Sequence, residues 1–140
     1  MKNFRLFLLI FSLMLNCACQ AISIEPDNID TKLKECISSD YSMSNMNNCV
    51  ISGIESREME IANYVFNIKT YLNSNAIKDF EVLHNTWLDL YNKDKNFIHK
   101  NIFHKIGTIN TNITYGLLYE QVKARALLYK SYLNNLKINQ

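Results

Sequence analysis

The sequence predicts an all-α fold, a small antiparallel hairpin or bundle of about three long helices. Apolar residues recur at steps of three and four along three long segments, the period of a helix with one buried face. No stretch shows the strong apolar–polar alternation of a half-buried strand. Three such stripes in a chain of 140 residues have only each other to bury against.

The first element is a secretory leader over 1–21. Lys2 and Arg5 make a short basic start, Leu6–Leu15 is apolar but for Ser12, and the small residues Cys17, Ala18, Cys19 and Ala21 follow. That order is the signature of a signal peptide cleaved after Ala21, with Cys19 and Ala21 at the two small positions. A retained anchor is the alternative, but a spanning helix needs ~20 apolar residues, and Asn16 and Gln20 interrupt the run. Lipidation of Cys17 or Cys19 is a further alternative, at odds with Asn16, which stands directly before Cys17 and three residues before Cys19. Removing Lys2 and Arg5 takes the basic residues from 15 to 13 against 13 acidic ones, so the mature chain is formally neutral. A neutral chain offers no polybasic patch to nucleic acid or anionic lipid. The expected location is periplasmic or secreted, with a lipoprotein at the cell envelope as the alternative. No membrane insertion is expected after cleavage, and the oligomeric state stays open.

Residues 22–41 read as an irregular lead-in. Pro26 and Asp27 disfavour helix, Asp30 is a candidate cap for a short helical turn through Leu33 toward Cys36, and residues 38–42 are turn-like. A first long helix starts at Ser42, whose hydroxyl suits an N-cap. Its stripe is Met46, Cys49, Val50, Gly53, Ile54, Ile61, Val65, Ile68 and Leu72, with one polar turn around Arg57. It ends near Asn73-Ser74-Asn75. A second helix runs from about Ala76 to Lys100 on Ile77, Phe80, Leu83, Trp87, Leu90, Tyr91 and Ile98. Residues 101–112 read as a loop around Gly107. A third helix runs from Thr111 or Asn112 to Leu136 on Leu117, Leu118, Gln121, Arg125, Leu128 and Tyr132, with Val122, Ala124 and Leu133 on its flanks.

Few residues point to chemistry. Past the leader only Cys36 and Cys49 remain, and in an oxidising compartment a bridge between them is expected. It would close a loop of about 14 residues, contributing roughly 3 kcal/mol; two buried free thiols are the alternative. His99 and His104 are five apart, off a common helical face, and no further ligand completes a set with them or with His84. No nucleophile elbow, phosphate loop or dinucleotide turn is present. Glu55, Glu58 and Glu60 beside Arg57 read as a solvated charged face. Trp87, on the stripe with Phe80 and Leu83, reads as core between the first and third long helices. No catalytic, cofactor-binding or metal-binding residue is expected.

The motif Ser42-Met43-Ser44-Asn45-Met46-Asn47-Asn48-Cys49, with Cys36 upstream, resembles the opening of the LprI-like lysozyme-inhibitor family. Leu83-His84-Asn85-Thr86-Trp87 resembles the family's stretch leading into its Trp. Ile106-Gly107-Thr108 resembles its Gly-Gly-Thr turn, and Arg125-Ala126-Leu127-Leu128 its closing motif. The resemblance runs from about Cys36 to Leu133, within a helical domain placed at 42–137. The chain departs from the family where two further cysteines would stand, near Lys95 and at Leu117, and at Tyr91, Ile106 and Ala62, where the family carries Arg, Gly and Asn. The resemblance implies an exported, non-enzymatic helical protein that binds lysozyme and occludes its cleft.

Such a protein needs a rigid projection, and the 101–112 loop is the candidate, with Gly107, Thr108 and Asn110 as partner-binding residues. The missing cysteines would have pinned the ends of that loop. Formal neutrality gives little steering toward a cationic enzyme. The alternative function is a non-enzymatic structural or envelope-associated protein without action on lysozyme.

Overall fold

The computed structural model describes residues 27–103 and 108–138. Among them are four helices and no strand: α1 (Asn28–Ser39), α2 (Met43–Thr70), α3 (Ser74–Asn101) and α4 (Thr108–Ile138). The all-α expectation holds, with a fourth, shorter helix added. The leader, with Cys17, Cys19 and the cleavage point before Ile22, lies outside the described residues.

The lead-in is the first correction, because 28–39 is helical. Asp27 caps it by accepting a bond from the Ile29 amide at 2.9 Å, so the cap lies three residues before Asp30. Ile29, Leu33 and Ile37, four residues apart, turn one apolar stripe onto the core. The helix ends where the Ser38 and Ser39 hydroxyls bond back to main-chain carbonyls and Asp40 turns extended. A short helix with no fully buried residue owes its existence to that docking rather than to its own propensity.

Ser42 caps α2 as expected, accepting from the Asn45 amide at 3.3 Å. Asn73 caps α3 by accepting from Asn75 and Ala76. Contacts across the bundle give the directions. Glu58 meets Lys95 and Lys69 meets Glu81, so α2 and α3 are antiparallel. Asp94 meets Gln121 and His84 meets Tyr129, so α3 and α4 are antiparallel too. α2 and α4 therefore run parallel, with Asn47 against Asn112 at one end and Gly53 against Tyr119 further along. α1 runs antiparallel to α2, from Asp27 beside Arg57 to Cys36 beside Cys49.

The core is Val50, Ile54, Ile61 and Ile68 from α2, Phe80 and Tyr91 from α3, and Leu118, Tyr119, Val122, Ala126, Tyr129 and Leu133 from α4. The backbones of α2 and α4 approach closely along their length and α1 lies close on α2, whereas α3 stands further off. At the α2–α4 crossing Gly53 is what permits the approach, since a Cβ there would sit 3.0 Å from the Tyr119 ring. Large rings from α3 and α4 fill the wider gap.

Three further expectations change. The buried face of α4 is rotated from the expected stripe: Val122, Ala126, Tyr129 and Leu133 point inward, while Leu117, Gln121 and Leu128 are exposed. The adjacent pairs Leu117-Leu118 and Leu127-Leu128 make both sides of this helix apolar, so periodicity alone does not choose the inner one. On α3 Leu83 and Leu90 are exposed, and Phe80 and Tyr91 carry the burial. The expected loop is shorter than 101–112, since α3 includes Asn101 and α4 begins at Thr108. Asn and Thr residues are weak helix formers, but contacts such as the Asn112–Asn47 bond at 3.3 Å override propensity.

Candidate functional site

The structure places Cys36 and Cys49 in a disulfide, Cα–Cα 5.8 Å apart, joining α1 to the second turn of α2. Its other polar centre was read wrongly from sequence. Arg57, expected on a solvated face, is fully buried. It donates to Asp27 at 2.8 Å, Asp30 at 2.9 Å and Glu60 at 2.6 Å, and its Nε has no partner among the described residues. Asp30 also accepts from the Tyr119 hydroxyl and from Lys123 at 2.7 Å, and Glu60 accepts from Tyr64 at 3.0 Å. Burial opposes the charge on Asp30, but Lys123, Tyr119 and Arg57 overcome it and hold the carboxyl at about 2. Asp27 is lowered in the same way, its burial outweighed by Arg57 and the Ile29 amide. Burial also opposes the guanidinium charge, and its carboxylate bonds more than offset this, so its pKa is raised. Burial and the bonds to Glu60 and Asp30 push the hydroxyls of Tyr64 and Tyr119 up to about 12. The network joins α1, α2 and α4, and every charge in it is engaged. The signal was present in sequence: Arg57 continues the apolar register of Val50, Ile54 and Ile61, and a cation at a core position must carry its own counter-ions.

Around Trp87 the arrangement is more open. Trp87 is half-buried rather than core. One face stacks on Tyr91 at 5.4 Å and 7°, and the Arg125 guanidinium lies 4.9 Å from the ring centre. Arg125 also sits 5.5 Å from the Tyr129 ring, whose hydroxyl lies 3.2 Å from His84 Nδ1. Burial, with Lys69 and Arg125 nearby, lowers the His84 pKa. A groove of about 320 Å³ opens between α3 and α4 here, lined by Trp87, Leu90, Asp94, Gln121, Arg125 and Leu128 among others. On the other side of Trp87 a second cavity of about 260 Å³ separates α2 from α3 and includes Ala62 and His84. There Glu58 accepts from Tyr91 at 2.9 Å and Lys95 at 3.0 Å. Burial and Glu58 raise the Tyr91 pKa. Of the three glutamates expected on a solvated face, only Glu55 is exposed; Glu58 and Glu60 bridge to other side chains.

Gly107 lies outside the described residues. Thr108 and Asn110 belong to the first turn of α4, and their side chains lie outside the described residues as well. Those two are therefore helical rather than part of a projecting loop. Lys95 turns to Glu58 on α2, whereas Leu117 is exposed, so the positions of the two absent cysteines meet different neighbours. His99 packs edge-on against Phe103, and His104 lies outside the described residues. Among the described residues no group of His, Cys, Asp and Glu is placed to hold a metal, and no helix is long and apolar enough to cross a membrane. Comparison with family models, curated proteins and solved structures finds no match for the chain.

Proposed function

We propose that this is an exported, non-enzymatic binding protein whose target is lysozyme, in the manner of the LprI-like inhibitors it resembles. One observation carries the reading. Residues on which the resemblance rests meet in space: Cys36 with Cys49, 13 residues on, in the disulfide, and Trp87 with Arg125 in a cation–ring contact at 4.9 Å. Contacts between the members of the motif support the reading that they form one framework. The framework is stiff where the disulfide and the Arg57 network hold it, which suits a module that must present a fixed surface to an enzyme cleft. On this reading the enzyme is met by residues around Gly107, ahead of the first turn of α4.

The test is inhibition of lysozymes of several types by the disulfide-intact protein, beside a Gly107→Val variant. Saturable inhibition that the variant loses while keeping its helix content supports the reading. No inhibition of any lysozyme type at micromolar concentrations removes it. The structural, envelope-associated alternative is then favoured, and the apolar face on α3 and α4 is the observation that speaks for it.

A further inference from the structure

We infer that the exposed α3 face beside the α3–α4 groove is a self-association surface, paired with the same face of a second copy of this chain. Leu83, Leu90 and Phe97 follow one another at seven-residue spacing on α3, the repeat of a helix-pairing seam. They are 41, 59 and 60 % exposed, while Phe80 and Tyr91 hold the core about a quarter-turn away. Leu128, 40 % exposed, lines the groove from α4, and Leu117, 63 % exposed, precedes it by three turns on the same helix. An apolar strip of this length along two neighbouring helices matches a partner helix better than a small molecule.

Charge identifies that partner. The groove contains one acid and one base that make no ion pair among the described residues. Asp94 accepts only a bond from Gln121 at 3.3 Å. Arg125 rests on the rings of Trp87 and Tyr129. The two stay apart because Gln121, which meets Asp94, precedes Arg125 by one turn of α4. A two-fold axis through Leu90 places Leu90 against its own copy and Leu83 against Phe97 of the second copy. The same axis carries Asp94 to the level of Thr86, within one turn of where Arg125 lies against Trp87. The Asp94–Arg125 pair then forms twice, once on each side of the axis, as an isologous interface requires. A foreign helix would have to supply both complements independently. The inference stands whether or not the protein binds lysozyme.

Sedimentation equilibrium of the disulfide-intact protein over a concentration series tests it. The wild type is expected to reach twice the chain mass in the micromolar range. Asp94→Arg, which brings like charges together, should raise the dimer dissociation constant at least about tenfold. The double swap Asp94→Arg with Arg125→Asp should recover most of that loss. Arg125→Asp also removes the contact with Trp87, so the melting temperature of each variant is recorded. Should the swap fail to fold, Leu90→Lys on the exposed rim takes its place and must weaken the dimer by a similar factor. A wild type that stays monomeric at every concentration overturns the inference. So does a dimer that Asp94→Arg and Leu90→Lys leave unchanged.

Discussion

The two flanks of α2 are held by opposite means. Toward α1 and α4 the backbones are close, a disulfide crosses one end, and a buried arginine gathers carboxylates at the other. Toward α3 the backbone stands off, and the space is spanned by the Tyr91 hydroxyl bonded to Glu58 and by the Glu58–Lys95 and Lys69–Glu81 pairs. The first flank cannot change without leaving an uncompensated charge or a broken bond. The second can slide by rotamer changes in partly exposed side chains. A helical bundle of this size need not be uniformly stiff: α1 and α4 are locked to α2, while α3 is the element with latitude and with apolar surface to spare.

The largest effect should come from the locked flank. Arg57→Met leaves Asp27 and Glu60 without their cation and Asp30 with Lys123 alone, and should cost about 3–5 kcal/mol in denaturant unfolding. A loss below about 1 kcal/mol would mean that these partly exposed carboxylates are already solvated, and the contrast between flanks would collapse. Cys49→Ser should follow, at about 3 kcal/mol for a loop of this size. Because Arg57 still holds the other end, α1 should remain helical in that variant, which helix content by circular dichroism would register.

On the loose flank Trp87→Ala should cost less than a core tryptophan, about 2 kcal/mol, since the ring is half-buried and its loss opens a groove that water can enter. A cost of 4 kcal/mol or so would show that α3 is held as firmly as α4.

Acid sharpens the comparison further. The folded-state pKa of Asp30 is about 2, below the value of about 3.9 for an unfolded aspartate. The folded state therefore binds fewer protons, so its contribution is full above about pH 4 and is lost as pH falls toward 2. Asp27 acts with the same sign. In melts between pH 5 and pH 2 (roughly the span of these pKa values), the wild type should lose stability steeply and Arg57→Met much less. The smallest effect belongs to the other flank. His84 is lowered by burial, so protonation favours the unfolded chain and stability should sag slightly as pH falls through about 6.5. A His84→Gln variant should not show that sag.

The helical class, the cap at Ser42, the break near Asn73 and the long helices on either side of it were legible in the sequence, because these rest on local spacing; the Cys36–Cys49 pairing was legible once a leader carrying Cys17 and Cys19 was expected to be removed. Sequence by itself did not find α1, whose apolar stripe is short and whose cap follows a proline, since a helix this brief exists only when docked. It misplaced the inner face of α4, where apolar residues surround the helix and the choice falls to whichever side meets Gly53 and the α2 core. It took Arg57 and its glutamate neighbours for a solvated face, because the carboxylates that explain the arginine include two from thirty and twenty-seven residues away. Periodicity records which residues share a side of a helix. Only packing in three dimensions decides which side is inside, and which charges are carried in with it.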